Sequence, residues 1–300
     1  MMKFLGALVA ILLFASCLQK PTKVYQTVPT QVKGEGAGFS VGITLTDKAV
    51  IVDARPSFDF AVSHLNGAIH LPPEDFNQHE PAFRGVLEID KFFHARRLAR
   101  LGISSDTPVV VVGRGPLGNG EEGRVAWTLK VLGLKDVSFV GQGFFSLPLT
   151  TAEAPPRAPV PIWKPQIEES LTVSKADFLR ASHVPRSALS APIIIDVRSA
   201  DEYLGKTKIF ERPLPNLSAI NIPWTEFFDS KGLTSSSMNE RLNAVGVTKI
   251  RVIYVISNMG IESAAVTMAL RGLGFHKASN FSGGYQELML SGPAGKSKSK

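Results

Sequence analysis

The chain is predicted to be an α/β protein of two tandem domains, each a mainly parallel sheet flanked by helices. Three observations carry that prediction. Short β-branched apolar runs of strand length alternate with segments of helical period, as in parallel sheets with helices on both faces. The run AVIVDAR at residues 49–55 returns as APIIIDVR at 191–198. The spacing returns with it, since Asp53 to Gly113 is 60 residues and Asp196 to Ser257 is 61, so one domain plan occurs twice.

In the first half, residues 49–55 read as a buried strand ending in Asp-Xaa-Arg, 58–64 as a short helix and 67–72 as a second strand edge. Residues 88–101 form an amphipathic helix whose apolar positions are Ile89, Phe92, Phe93, Leu98 and Leu101. An all-apolar strand at 108–112 leads into a glycine-rich loop at 113–123. A helix at 124–132 carries Trp127 and stops at Gly133. The strand at 137–140 is closed by Gly141-Gln142-Gly143-Phe144.

Residues 151–164, TAEAPPRAPVPIWK, lack apolar periodicity and read as a linker. In the second half, 219–223 answers 68–72 and 240–245 closes the counterpart helix. Residues 252–256 are a buried strand, and 263–273 a helix with Ala265, Met268, Ala269 and Leu273 at helical spacing. Between them lies the loop Ser257, Asn258, Met259, Gly260, Ile261, Glu262. A loop that leaves a buried strand and opens a helix gathers backbone N–H groups around one point, where they can hold an anion or stabilise a thiolate.

The apolar fraction of 44% is ample for buried cores. The formal charge of +7 sits at the ends: Lys3, Lys20, Lys23, Lys33, Lys296, Lys298 and Lys300 lie outside 34–295, where 26 basic residues meet 26 acidic ones. The body is neutral, which argues against nucleic acid as a partner. Cys17 is the single cysteine, so the body holds no disulfide, no thiolate metal site and no thiol nucleophile. His70, His79, His94, His183 and His276 show no metal-ligand spacing, and no cofactor is expected.

Met1 to Ser16 has a basic start, an apolar run from Phe4 to Phe14 and then small residues, the layout of a signal peptide. Phe14-Ala15-Ser16-Cys17 resembles a bacterial lipoprotein box, with Phe14 in place of the usual Leu. The resemblance implies that Cys17 is lipidated and that the protein is exported and held at a membrane of the cell envelope. Ordinary cleavage and an uncleaved anchor are the alternatives. The expected organisation is a signal peptide at 1–16, a tether at 17–40, domains at 41–150 and 171–291 joined by a linker at 151–170, and a basic tail at 292–300.

Strand, six-residue loop, helix and Gly274-Phe275 together resemble the active-site segment of a rhodanese (sulfurtransferase) domain. Asp53-Ala54-Arg55 with His64 and Gly67-Ala68-Ile69, the Arg124/Trp127 pair, and Asn221-Ile222-Pro223-Trp224 with Glu226-Phe227 extend the likeness over about residues 40–290, as in two-domain thiosulfate or 3-mercaptopyruvate sulfurtransferases. The resemblance implies a first-domain loop without cysteine, as at Gly113, and a catalytic Cys in the second. Here that Cys falls on Ser257, and the family's loop arginine on Glu262. Pro215-Asn216-Leu217-Ser218-Ala219 replaces the family's His-Ile-Pro-Gly-Ala.

Persulfide chemistry needs an accessible thiolate, which a serine hydroxyl does not supply. Glu262 would also repel an anionic substrate, by about 1 to 3 kcal/mol at roughly 5 Å. The expectation is a binding or envelope-associated module without sulfurtransferase activity, its partner a small anion or a protein, with Arg198 and Arg124 as candidate contacts. Residual chemistry at Ser257 would need a base within hydrogen-bond reach. A purely structural role would have Met259 and Ile261 pack the loop shut. Asp53, Arg55, Asp196 and Arg198 read as ion pairs, His64 as a structural hydrogen-bonder, and Glu121 and Glu122 as a solvated loop face.

Overall fold

The computed structural model describes residues 39–41, 49–141, 145, 147–185, 188, 191–235 and 237–290. The signal segment, Cys17, nearly all of the tether, the basic tail and residues 142–144 lie outside the described residues.

The first domain is a five-stranded parallel sheet of order β1-β6-β5-β2-β4, built from β1 (Phe39–Val41), β2 (Val50–Asp53), β4 (Ile69–His70), β5 (Val109–Val112) and β6 (Val137–Val140). A short antiparallel ribbon joins β3 (His64–Leu65) to β7 (Leu149–Thr150). Its helices are α1 (Ser57–Val62), α2 (Lys91–Arg100) and α3 (Glu121–Val131). All four β5 residues are buried, as a central strand covered on both faces requires.

The second domain is a parallel sheet of order β11-β10-β8-β9, from β8 (Ile193–Asp196), β9 (Ile220–Asn221), β10 (Ile253–Ile256) and β11 (Ala278–Asn280). Its helices are α4 (Lys175–Ser182), α5 (Ala200–Tyr203), α6 (Met238–Ala244), α7 (Glu262–Gly272) and α8 (Gly284–Leu290). Register repeats the internal likeness: Asp53 stands beside Val112 and His70, and Asp196 beside Ile256 and Asn221. Each domain therefore ends its Asp-bearing strand next to the strand that feeds its loop.

The domains meet through α3 and α7. One apolar core runs through both, with Val125, Ala126 and Trp127 of α3 in the same cluster as Ala265, Met268 and Ala269 of α7. A β-carbon on Gly123 would collide with Ala265, so the helices touch backbone to backbone there. Trp127 Nε1 donates to the Leu171 carbonyl at 2.9 Å, which ties the first domain to the start of the second. The expected linker is packed rather than free. Val160 N–H donates to the Ala99 carbonyl at 2.9 Å, Trp163 Nε1 to Ile103 at 3.1 Å and Glu168 N–H to Val131 at 2.9 Å.

Two readings of the first half need correction. Helix α2 begins at Lys91 behind the N-cap Asp90 and buries His94, Ala95, Leu98 and Ala99, while Ile89, Phe92 and Phe93 are 79%, 45% and 48% exposed. Stepping back from Leu98 by helical turns reaches 94/95 and 91, not 92/93, so the aromatics face outward. Helix α3 opens at Glu121 rather than Arg124, and Glu121 and Glu122 are buried side chains of its first turn, not a solvated loop face.

Candidate functional site

The second-domain loop is shaped by two glycines. Gly260 has φ +71°, and a β-carbon there would collide with the Ser282 carbonyl. Gly284, at φ +56°, lies equally tight against the Ser257 and Asn258 carbonyls. Those carbonyls accept from the first turn of α8, Tyr285 N–H to Ser257 at 3.0 Å and Gln286 N–H to Asn258 at 2.9 Å. From the first domain, Gly85 packs so closely on Met259 and Ser282 that no side chain fits.

Ser257 is fully buried. Its Oγ accepts from Gly260 N–H at 3.1 Å and Ser263 N–H at 3.4 Å and lies 3.1 Å from Ser263 Oγ. Ser263 Oγ donates to Asn280 Oδ1 at 2.7 Å, and Asn280 Nδ2 donates to the Gly260 carbonyl at 3.2 Å. The chain of donors runs from the serine through Ser263 to Asn280 and back to the loop. The hydroxyl takes up two N–H groups that would otherwise converge on an external anion, and the titratable group within its reach is the Glu262 carboxyl, to which it also hydrogen-bonds.

Asn258 Nδ2 donates to Glu202 Oε1 at 2.8 Å. Met259 is 38% exposed and Ile261 half-buried, so neither closes the loop as a plug; the first-domain segment around Gly85 does that. Glu262 is half-buried at the start of α7. Burial pushes its carboxyl above the usual range, and the negative field of Glu202 and Glu121 adds to the rise, against hydrogen bonds from its own N–H and Ser257.

The first-domain loop is filled in a different way. A β-carbon on Gly113 would collide with Glu122 Oε2, so the Glu122 carboxyl stands where a side chain at the loop's first position would be. It accepts from its own N–H and from that of Gly115, while Oε2 has no partner among the described residues. Burial first, then the charge of Glu121, pushes its pKa up to about 8. Glu121 binds Arg114 Nε at 2.8 Å and Asn119 N–H at 2.8 Å, and Arg114 also pairs with Asp59 at 3.4 Å. A cavity of about 460 Å³ opens beside this loop at the domain junction, lined by Glu74, Asp75, Arg114, Glu121 and Ile261 among others.

The ion-pair readings hold. Arg55 binds Asp53 through Nε at 3.0 Å and Nη2 at 2.7 Å; Arg198 binds Asp196 at 3.0 and 2.6 Å; all four side chains are buried. Arg198 stacks on Tyr285 at 4.0 Å, whose hydroxyl donates to Asp196 at 3.0 Å; burial and that carboxylate push the phenol's pKa up. Arg198 also borders a cavity of about 370 Å³ with Tyr203, Lys208 and Arg212. His64 is a structural hydrogen-bonder, to the Phe60 carbonyl at 2.9 Å and Ala152 at 3.3 Å.

Arg124 is held inside the protein. It is fully buried, donating to the Gly260 carbonyl at 3.0 Å, Asn77 Oδ1 at 2.7 Å and the Gly85 carbonyl at 2.6 Å, and it stacks on Trp127 at 4.7 Å. All three acceptors are neutral, and burial pulls its pKa down to about 9. It is a strut that fixes the second-domain loop from the first domain. Sequence reading missed Ser263, Asn280 and Glu122. The signal for Ser263 was its place one residue into α7; the other two carried none. Among the described residues no cluster of His, Cys, Asp and Glu is arranged to hold a metal ion.

Residues 44–147 and 178–290 each match the rhodanese-like domain family. The chain is similar to the sulfur carrier protein TtuD of Thermus thermophilus, 29% identical over 247 residues that cover 76% of this chain and 83% of that protein. Its fold is similar to that of the 3-mercaptopyruvate sulfotransferase SseA of Escherichia coli, with a TM-score of 0.66 at 22% identity, covering 79% of this chain and 93% of that one. A probable thiosulfate sulfurtransferase is also similar, with a TM-score of 0.58 at 23% identity over 83% of this chain and 97% of that one. With both of its domains matched, the chain belongs to the rhodanese-like family, in the tandem arrangement of its sulfurtransferases.

Proposed function

We propose that this protein is an exported, lipid-anchored member of the family that works as a binding module of the cell envelope and does not transfer sulfur. The observation that carries this reading is Ser257: it stands where the resemblance expects the nucleophilic cysteine, and its hydroxyl is fully buried and turned inward onto Gly260 and Ser263. The only cysteine is Cys17, far outside either domain. A sulfur-carrying role like that in the name of the Thermus relative would need a partner's thiol. Export and anchoring rest on the first 17 residues, whose pattern resembles a lipoprotein signal. The contact surface offered to a partner is the junction cavity bordered by Arg114, Glu121 and Ile261, where the carboxylates of Glu74, Asp75 and Glu121 outnumber the one cation and favour a protein over a small anion.

The test is sulfur transfer to cyanide from thiosulfate and from 3-mercaptopyruvate, by wild type and by the double variant Ser257→Cys, Glu262→Arg. Wild type is expected to be silent. Gain of turnover by the double variant would show that only the chemistry was lost; measurable wild-type turnover overturns the reading.

A further inference from the structure

The outward stripe of α2 is built unlike a solvated helix face. Ile89, Phe92 and Phe93, at 79%, 45% and 48% exposure, continue along the helix into Arg96 and Arg100, both exposed, with half-buried Lys91 and Arg97 on the flanks. Arg96 lies over the Phe92 ring at 5.2 Å. The opposite face, His94, Ala95, Leu98 and Ala99, is the one spent on the core. Within α2 itself there are four cations and no carboxylate; Asp90 caps the helix and pairs loosely with Arg96 at 3.7 Å, and Asp75 pairs with Arg97.

Aromatic side chains beside cations on one exposed helical stripe match the chemistry of a bilayer interface. Phenyl rings enter the acyl boundary while arginines stay with anionic headgroups. A second copy of this chain is a poor occupant, because the same cationic stripe would face itself. The chain outside the described residues points the same way: its apolar run ends at residue 14, and Cys17 lies 22 residues before Phe39. At about 3.4 Å per residue such a length reaches some 75 Å, enough to let any face of the body meet the surface that holds its end.

We propose that the α2 stripe Ile89, Phe92, Phe93, Arg96 and Arg100 docks on an anionic lipid bilayer and sets the orientation of the two domains on it. The proposal rests on the membrane-bound reading above for its setting, but its test reads the face and not the anchor.

The experiment places a tryptophan at Phe93 or, as an equally accessible control in the second domain, at Ile250, which is 78% exposed. The full chain is mixed with vesicles of phosphatidylglycerol and phosphatidylcholine carrying brominated acyl chains. Phe93→Trp is expected to be quenched in anionic vesicles and much less in phosphatidylcholine alone or in high salt, with Ile250→Trp unchanged throughout. Quenching of Phe93→Trp that persists when Cys17→Ser is added supports the face independently of the anchor. The pair Phe92→Ser, Phe93→Ser should weaken vesicle partitioning of the Cys17→Ser chain by about tenfold or more, from the apolar area withdrawn. Co-flotation with equal, weak quenching at both positions overturns the α2 proposal while leaving an anchored protein. Flotation of neither chain, or protection of Phe93→Trp only in a dimer, also overturns it; the former counts against the membrane reading as well.

Discussion

Glu122 and His94 are two buried titratable groups whose cost depends on pH in opposite directions. Glu122 is held neutral in the fold, with its pKa raised to about 8 by burial and Glu121, whereas the unfolded chain ionises it near 4.5. Folded protein therefore binds more protons, and stability falls as pH rises from about 4.5 to 8. Replacement by glutamine keeps the volume and removes the titration. Glu122→Gln should flatten the loss of melting temperature between pH 5 and 8 that wild type shows, and scanning calorimetry across that range decides it. His94 is the reverse case. It is 1% exposed between Phe76 and Phe93, both ring nitrogens lack partners among the described residues, and burial with help from Lys91 and Arg97 lowers its pKa to about 4. The unfolded chain takes up the proton first, so stability is lost as pH falls from about 6.5 to 4, by up to about 3 kcal/mol. His94→Leu should remove that acid loss and be neutral or stabilising at pH 7, since two unsatisfied nitrogens disappear. A steeper acid transition in the variant would contradict this account. Neither residue was legible in sequence. A glutamate at a helix start reads as solvated, and a lone histidine on a helix gives no sign of which face it takes.

At the scale of the element, what the sequence revealed was spacing and what it hid was phase. The strand ends at Asp53 and Asp196, the loop after β10 and the long helix behind it followed from composition and repeat distance alone, because a strand buried on both faces admits few residue types. Helix α2 was placed but turned wrongly, since Phe92 and Phe93 look like core to any periodicity argument and the packing of Leu98 and Ala99 outranks them. The β10–α7 loop was read as able to hold an anion, yet its first residue takes up its N–H groups from within and the segment around Gly85 covers it. That outcome depends on Gly260, whose positive φ and contact with the Ser282 carbonyl were not visible beforehand. Gly260→Ala should cost about 2 to 4 kcal/mol, from left-handed backbone and a carbonyl that cannot retreat cheaply. Urea denaturation would measure it; a cost under about 0.5 kcal/mol would mean that the loop is looser than described.

For the whole molecule, the question is whether the two repeats behave as two domains or as one. The internal repeat suggests independent units on a flexible joint, but the contacts favour a single body. Helices α3 and α7 touch through Gly123 and Ala265, Trp127 is bonded across to Leu171, and Arg124 reaches from α3 to hold the Gly260 carbonyl of the other domain. The shared apolar cluster leaves neither domain a core of its own on that side. Unfolding either half would expose the helix face of the other, and unfolding the second would take from the buried Arg124 guanidinium one of its three acceptors, the Gly260 carbonyl. Wild type is therefore expected to melt in one cooperative transition, with coincident loss of far-ultraviolet and tryptophan signals. Gly123→Leu tests the cause. A leucine cannot fit against the Ala265 backbone, so the helices must separate and the coupling must weaken. The variant should show two resolved transitions, the first with loss of the Trp127 environment, while each half retains its parallel sheet. Two transitions already present in wild type would mean that the interface seen between α3 and α7 does not hold the domains together. A single, merely lower transition in Gly123→Leu would place the coupling in Arg124 and the packed linker instead.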